Sequence, residues 1–231
     1  MKPIKVYCYC KSDFEDFCRT RGWDDSNVPS DWAFISICST PDVVRNIIQD
    51  EDEHYFKEPH QNVLNVEFDD ITSNEEQADA NTTAYGLSTE DSFKIVKFIR
   101  LHVSLGKNFL VHCRAGRSRS QAIVRYMLTT YGTLEVSKYN PPTSWNSYVL
   151  DHLRTAAHLL FEDVRGAFIA NNITFQKFEP SEISGLVKVE VSGETYIYAE
   201  GEGAWIIVKT GEIFDDFSFW RMLTSKNPSK P

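Results

Sequence analysis

FLVHCRAGRSRS, residues 109–120, is the stretch from which the fold and chemistry of this chain are most directly predicted. Phe109–Val111 has the apolar character of a buried strand, and the apolar pattern from Ala122 to Met127 is typical of a helix. Cys113 and Arg119 stand six positions apart in the segment between them, which has a glycine at its middle. A strand, a tight loop and a helix N-terminus in this order favour an anion site, because backbone N–H groups and the positive end of the helix dipole face one point.

The residue types in this loop suit an attack of sulfur on phosphorus. The field of the loop stabilises negative charge, so Cys113 is expected to be a thiolate. Arg119 can donate two parallel hydrogen bonds to a phosphate group. The alternative is a buried core cysteine beside arginines that only form a solvated surface. It explains less well why three arginines stand within six residues, since an ordinary buried turn needs none.

The string His112-Cys113-x5-Arg119-Ser120 resembles the signature of the cysteine-dependent protein tyrosine phosphatases, especially the dual-specificity branch. The resemblance covers about residues 1–165. It implies that Cys113 forms a cysteinyl-phosphate and that Arg119 clamps the phosphate oxygens. It further implies that Ser120 hydrogen-bonds the cysteine sulfur and eases its departure, and that His112 holds the loop without touching substrate. The residues expected to bind phosphate are Arg114, Ala115, Gly116, Arg117 and Ser118, with the two arginine side chains facing outward.

A leaving alkoxide or phenoxide needs a proton, which calls for a carboxylic acid on another loop. Phe68-Asp69-Asp70, at the end of a predicted strand, resembles the acid loop of the same family. The second of two adjacent acids usually serves in related sequences, so Asp70 is the predicted general acid and Asp69 the alternative. Asp69 and Asp70 could also cap a turn, a role that is compatible with acid catalysis. The tryptophan-proline-aspartate form of the tyrosine-specific enzymes is absent.

A supporting residue is predicted from the helix that follows. Asn146 resembles an asparagine of the family that braces the cysteine loop, although Trp145 stands where the family usually has proline. The resemblance implies catalysis without a metal or a cofactor, because arginine and backbone N–H groups neutralise the charge.

Length and composition limit the possible domain organisation and cellular location of the protein. The 231 residues suggest one domain of about 150 residues with an addition. No run of about 18 apolar residues is present and the N-terminus lacks the apolar segment of a signal peptide, so neither a membrane span nor export is expected. Five cysteines, one of them reactive, favour a reducing compartment, and the protein is expected in the cytoplasm. Cys8, Cys10 and Cys18 fit no common zinc-ligand spacing and are interpreted as core positions.

Charge is unevenly distributed along the chain. The net charge is −9, which argues against a general nucleic-acid binder. From Ser92 to Leu134 there is no Asp or Glu, and this stretch holds eight Lys and Arg residues. Such a basic region would attract an acidic, phosphorylated substrate. The expected partner is therefore a phosphorylated protein or peptide, and the oligomeric state is left open.

Strands alternate with helices over residues 1–168, which predicts an α/β domain: a parallel-centred sheet flanked by helices, as in the tyrosine phosphatases. The predicted strands lie at 4–9, 32–38, 62–68 and from Phe109. The predicted helices lie at 12–18 with a Ser12 cap, from Ser88 to Gly106, after the cysteine loop to Tyr131-Gly132, and at 145–160. Residues 71–87 are predicted to be a long loop beside the site.

The sequence pattern changes in residues 169–231. Val187, Val189 and Val191 alternate with polar residues, and glycine turns follow, which predicts an antiparallel meander of three or four strands. This C-terminal β extension is expected to pack on the first domain, with the aromatic segment Phe217–Leu223 sealing the junction. It either selects substrate, binds a partner or only extends the fold.

The predicted function is hydrolysis of phosphotyrosine, with phosphoserine and phosphothreonine as further substrates. Arg114 and Arg117 keep open the same chemistry on RNA 5′ phosphates or inositol phospholipids. A non-catalytic phosphopeptide-binding module is a third hypothesis, and a sulfur transferase a fourth. The presence of Cys113, Arg119 and an acid argues against binding alone, while His112 and Ser120 favour phosphate over sulfur.

Overall fold

The computed structural model describes residues 3–44, 52–72, 84–131, 134–136, 144–170, 173–180, 187–199 and 204–226. Within these residues the chain forms a five-stranded parallel sheet flanked by helices and a separate five-stranded antiparallel sheet. The α/β class predicted from the alternating pattern is therefore confirmed. No helix in the described part of the chain is long and apolar enough to cross a membrane.

The parallel sheet has the strand order β3-β2-β4-β1-β5. Its strands are β1 (Ile4–Cys10), β2 (Trp32–Cys38), β3 (Val63–Glu67), β4 (Asn108–Cys113) and β5 (Leu134–Val136). The accompanying helices are α1 (Lys11–Thr20), the short α2 (Pro41–Val43), α3 (Thr89–Ser104), α4 (Arg119–Thr130) and α5 (Ser147–Ala170). The strand β4 lies at the centre with both faces covered, which explains its nearly continuous apolar sequence.

The central position of β4 places the candidate loop. The carboxyl ends of β1, β2, β3 and β4 lie at one edge of the sheet because these strands are parallel. Successive side chains of β4 point to opposite faces, so His112 packs against Phe14 of α1 while Cys113 belongs to the core on the other face. The sequence-predicted strands agree with β1 to β4, and Ser88 caps α3 as predicted by accepting a hydrogen bond from the Asp91 backbone N–H.

Two predicted details of the first domain are wrong. Ser12 is not a helix cap, because β1 runs directly into α1 and the extended residue Cys10 takes the N-cap position without a side-chain cap. The helix predicted to end at Leu160 continues to Ala170. Its additional turns bury Phe168 in a second apolar cluster. The length of the helix is therefore determined by this packing and not by the apolar residues of its first turns.

The second sheet has the order β10-β9-β8-β7-β6. Its strands are β6 (Lys177–Pro180), β7 (Val187–Val191), β8 (Glu194–Ala199), β9 (Ala204–Ile207) and β10 (Ile213–Asp215). A tight turn at Ser192 and Gly193, both with positive φ, joins β7 to β8. The described residues thus form five strands in this sheet, where three or four were predicted.

A final helix, α6 (Asp216–Lys226), contains the aromatic segment that was predicted to seal the junction. Its Phe219 stacks on Trp205 of the second sheet, with ring centroids 4.0 Å apart. The helix α5 supplies buried side chains to both clusters, Leu160 to the first and Phe168 to the second. The domain boundary at residues 168 and 169 stays a prediction.

Candidate functional site

The cysteine loop joins the end of β4 to the start of α4. Cys113 is 2% exposed, and its Sγ lies 3.1 Å from Oγ of Ser120. The Cys8 thiol on β1 donates to the same Ser120 oxygen at 3.3 Å, and burial raises the pKa of Cys8 to about 12. Cys8 therefore keeps its proton and serves as a donor. Since Ser120 accepts from Cys8, its own hydroxyl proton is directed to Cys113.

Gly116 brings the loop against the end of β1. Its φ is +67°, and a Cβ atom built there would lie 2.6 Å from the backbone nitrogen of Cys10. The Lys11 backbone N–H donates to the Arg114 carbonyl at 3.1 Å and fixes the first half of the loop to α1. Only glycine satisfies both the left-handed backbone and this close approach.

The loop carbonyls bond to the surrounding framework. The Arg114 carbonyl accepts from the Lys11 backbone N–H, and the Gly116 carbonyl accepts from Nε2 of Gln121. The Arg117 carbonyl accepts from the Ser144 hydroxyl, and the Ser118 carbonyl accepts from the Asn146 backbone N–H. The N–H of each peptide points away from its carbonyl. Among the described residues, no acceptor binds the backbone N–H groups of Ala115, Arg117 or Ser118. The loop thus presents unpaired donors on the side opposite the framework, which is the arrangement of an anion-binding nest.

Arg119 is buried and held in place at one end of its guanidinium. Its Nη1 donates to the carbonyl of Phe68 at 2.6 Å and to Oγ of Ser39 at 3.3 Å. Its Nε is buried and has no hydrogen-bond partner within the described ranges. A buried guanidinium with an unpaired N–H is costly, so this edge is suited to receive an acceptor from a ligand.

Asp70 lies against the cysteine loop. Its Oδ1 accepts hydrogen bonds from Ser118 Oγ at 2.7 Å and from Asn146 Nδ2 at 2.8 Å. Asn146 also donates to the carbonyl of Ile71 at 2.7 Å, and its backbone N–H reaches the Ser118 carbonyl at 3.4 Å. The predicted bracing residue therefore contacts both the cysteine loop and the segment that carries the acid.

Asp69 points elsewhere and has a structural environment. It is 4% exposed and accepts from the backbone N–H and the hydroxyl of Thr40 and from the backbone N–H of Tyr85. Its oxygens are thus occupied by three donors that tie β3 to the neighbouring segments. Of the two adjacent acids, only Asp70 contacts the cysteine loop.

Several residues of the site had no sequence signal. Ser39, which contacts Arg119, is itself held by Asp52, whose Oδ2 accepts from the Ser39 backbone N–H at 2.8 Å. Lys11 pairs with the other oxygen of Asp52 at 3.3 Å. These residues and Cys8 come from separate elements with no regular spacing.

His112 and the outer arginines complete the predicted set. His112 is 1% exposed on the opposite face of β4, and burial lowers its pKa to about 3, so it is neutral. Arg117 is exposed and Arg114 half-buried. Arg114 borders a cleft of about 630 Å³ that Lys11, His54 and Lys57 also line. The predicted loop of residues 71–87 lies mostly outside the described residues.

The described residues contain no group of three His, Cys, Asp or Glu side chains arranged to hold a metal ion. Cys8 and Cys18 are buried core thiols as predicted, whereas the prediction of a core position is wrong for Cys10, which is half-buried. No family model, no curated protein and no solved structure matches this chain.

Proposed function

We propose that this chain is a cysteine-dependent phosphatase with a tyrosine phosphatase-like fold, closest to the dual-specificity branch, that hydrolyses phosphotyrosine. Phosphoserine and phosphothreonine are further candidate substrates. The observation that carries the proposal is the set of unpaired donors around one buried thiol. The N–H groups of Ala115, Arg117 and Ser118 and Nε of Arg119 lack acceptors among the described residues, beside Cys113. Phosphate oxygens would satisfy all of these donors at once.

The first step joins sulfur to phosphorus. The Cys113 thiolate attacks the phosphorus in line, the S–P bond forms and the bond to the leaving oxygen breaks. Asp70, in its protonated form, gives its proton to that oxygen. Two donors hold its Oδ1, while Oδ2 has no hydrogen bond within the described part of the chain. This arrangement supports Oδ2 as the atom that transfers the proton.

The second step releases the phosphate. A water molecule attacks the cysteinyl-phosphate, Asp70 takes its proton, and the S–P bond breaks to return the thiolate. The Ser120 hydroxyl donates to the departing sulfur, and the Cys8 thiol supports this direction because it already donates to the Ser120 oxygen. Atoms and charge balance without a redox step or a metal.

The charge pattern of the sequence supports an acidic, phosphorylated protein or peptide as the substrate. The eight Lys and Arg residues between Ser92 and Leu134 lie within one stretch that lacks Asp and Glu. The free thiols at all five cysteine positions are compatible with the proposed location in the reducing cytoplasm.

The deciding experiment measures hydrolysis of p-nitrophenyl phosphate and of a phosphotyrosine peptide with EDTA and reductant present. Wild type is expected to hydrolyse both, and Cys113→Ser neither. The matched control is Cys10→Ser, since Cys10 pairs with Cys113 in register but directs its half-exposed thiol to Ser12. This control should retain wild-type activity. Residual activity near wild type in Cys113→Ser would end the nucleophile assignment.

The same phosphotyrosine peptide tests the hypothesis of a module that only binds phosphopeptides. A wild-type protein that binds the phosphotyrosine peptide but never hydrolyses it would replace the phosphatase proposal by a binding role. Hydrolysis confined to RNA 5′ phosphates or inositol phospholipids would keep the chemistry and change the substrate class.

A further inference from the structure

Three residues outside the cysteine loop connect its two ends. At the start of the loop, the Arg114 carbonyl accepts from the Lys11 backbone N–H at 3.1 Å. The Lys11 ammonium lies 3.3 Å from Oδ1 of Asp52, and Oδ2 of Asp52 accepts from the Ser39 backbone N–H at 2.8 Å. At the end of the loop, Nη1 of Arg119 donates to the Ser39 hydroxyl at 3.3 Å. Lys11, Asp52 and Ser39 thus form a bridge between the two ends of the loop.

The bridge holds one end of the Arg119 guanidinium. Nη1 carries two protons, and its two acceptors are the Phe68 carbonyl at 2.6 Å and the Ser39 hydroxyl. The other edge of the group, formed by Nε and Nη2, has no acceptor among the residues that the structure describes. Because the guanidinium is planar, the two bonds at Nη1 determine where this edge points. An anion in the cysteine loop would accept two parallel hydrogen bonds from it.

Asp52 is the buried charge of this bridge. Its side chain is 1% exposed, and a buried carboxylate costs free energy unless an opposite charge and hydrogen-bond donors compensate it. Lys11 compensates one oxygen and the Ser39 backbone N–H the other, so a displacement of Ser39 would take the donor from Oδ2. The next residue, Thr40, is held as well, because its N–H and its hydroxyl both donate to Asp69. The Ser39 hydroxyl therefore extends from a segment that is fixed at two adjacent residues.

We propose that Asp52 and Ser39 are positioning residues for Arg119, which direct its Nε–Nη2 edge to the anion bound in the cysteine loop. Asp52 acts through the backbone of Ser39, and Lys11 fixes Asp52 relative to the start of the same loop. The effect on turnover rests on the proposed function, in which Arg119 stabilises the phosphoryl group in the transition state. The effect on anion binding is independent of it, because inorganic phosphate can occupy the loop without proton transfer or bond cleavage.

A titration with inorganic phosphate, followed by proton–nitrogen NMR, measures this positioning without catalysis. The Nε–H signal of Arg119, assigned by its absence from Arg119→Lys, is expected to shift in wild type as phosphate accepts from it. Ser39→Ala removes one acceptor of Nη1 and keeps the backbone N–H that Asp52 binds. Asp52→Asn removes the charge and keeps the shape of the side chain. Both variants are expected to bind phosphate about tenfold more weakly, with a smaller shift of the Nε–H signal.

The matched control is Glu53→Gln at the adjacent acid. The Glu53 side chain is 63% exposed and pairs with Lys57 at 2.6 Å, outside the bridge, so this variant should bind phosphate like wild type. A bridge that only stabilises the fold would lower the free energy of unfolding in urea. It would leave the folded molecules with wild-type phosphate affinity and an unchanged Nε–H signal. That result in both Ser39→Ala and Asp52→Asn would overturn the proposal.

Steady-state kinetics tests the link to catalysis. In Ser39→Ala and Asp52→Asn, kcat/KM for p-nitrophenyl phosphate is expected to fall about 10²-fold, further than the phosphate affinity, because the contacts of Arg119 strengthen in the transition state. An unchanged kcat/KM in both variants would contradict the catalytic part of the proposal. A wild-type protein that binds phosphate but hydrolyses nothing would defeat the proposed function alone, and the titration would still decide the positioning. A wild-type protein that binds no phosphate would defeat both.

Discussion

The hydroxyl of Ser118 donates a hydrogen bond of 2.7 Å to Oδ1 of Asp70, which joins the cysteine loop to the end of β3 across 48 positions of sequence. Asn146 donates to the same oxygen from the start of α5. The segment that carries Asp70 is therefore attached to the cysteine loop from two sides. In the proposed mechanism these contacts orient the acid relative to the loop.

The role of Asp70 can be tested by its dependence on the leaving group. Asp70→Asn is expected to lower kcat about 10²–10⁴-fold for substrates with poor leaving groups such as phosphoserine, because general-acid catalysis is lost. p-Nitrophenyl phosphate should lose much less, since p-nitrophenolate departs without a proton. Steady-state kinetics on both substrates measures the difference. Equal losses on both would argue against the general-acid role.

Asp69→Asn is the matched variant at the adjacent acid. Because Asp69 accepts three hydrogen bonds from Thr40 and Tyr85, its replacement is expected to reduce the free energy of unfolding by roughly 2 kcal/mol. Urea denaturation would measure this loss. The ratio of activities on the two substrates should stay as in wild type. A ratio that changes as in Asp70→Asn would move the acid to Asp69.

Gly116 offers a test of the loop geometry. Gly116→Ala is expected to abolish most phosphatase activity and to cost roughly 1–3 kcal/mol of unfolding free energy, because its Cβ would collide with the end of β1. Gly106→Ala is the control, since Gly106 has the same φ of +67° but open space around the added Cβ. It should lose stability through the backbone alone and keep its activity. Equal activity losses in both would mean that the contact with β1 does not determine the loop.

The local parts of this site could be predicted from sequence, and the tertiary parts could not. The strand, loop and helix around Cys113 follow from consecutive residues, because apolar runs and glycine act within a few positions. Ser39 and Cys8 contact side chains of the site from separate elements, and Asp52 holds Ser39 and Lys11 in place. Nothing in the sequence around these residues marks them. The choice between Asp69 and Asp70 as the acid stays a prediction, and Asp70 is the one of the two whose side chain reaches Ser118.

The same distinction explains the errors in the fold. The Ser12 cap was a sound local pattern, but the direct passage from β1 into α1 gave the N-cap position to Cys10. The strand β6 has only four residues and ends at Pro180, so its sequence carries little strand signal and its pairing with β7 defines it. The length of α5 depends on the surface against which Phe168 packs, and no local sequence pattern predicts that contact.

Two buried histidines make the stability of the protein depend on pH. Burial lowers the pKa of His102 from 6.5 to about 4, and that of His112 to about 3. Below about pH 6.5 the unfolded chain binds protons that the folded protein does not yet accept, so stability is complete above that pH and falls as the pH decreases. Each histidine contributes a loss of about 1.4 kcal/mol per pH unit in that window.

His102→Gln should reduce this slope, because one of the two groups no longer titrates. Urea denaturation of wild type and variant at neutral pH and at about pH 5 measures the effect, and the variant is expected to lose about 2 kcal/mol less than wild type between the two conditions. The glutamine side chain can still donate to the Gln61 carbonyl that His102 now contacts at 3.0 Å. Parallel pH dependence in the two proteins would contradict the assignment of a neutral, buried His102.

Phe219→Ala tests whether the C-terminal extension is separable from the catalytic part. Phe219 is fully buried against Trp205 in the second cluster, so its truncation should cost about 3–5 kcal/mol. The two apolar clusters consist of different buried residues, so the second sheet is expected to open while the first stays folded. Limited proteolysis of the variant should then cleave the chain between β7 and α6. Its hydrolysis of p-nitrophenyl phosphate should stay within about twofold of wild type. Leu153→Ala, equally buried in the first cluster, should abolish activity as it destabilises the sheet that carries Cys113. If Phe219→Ala loses as much activity as Leu153→Ala, the two sheets unfold as one cooperative unit.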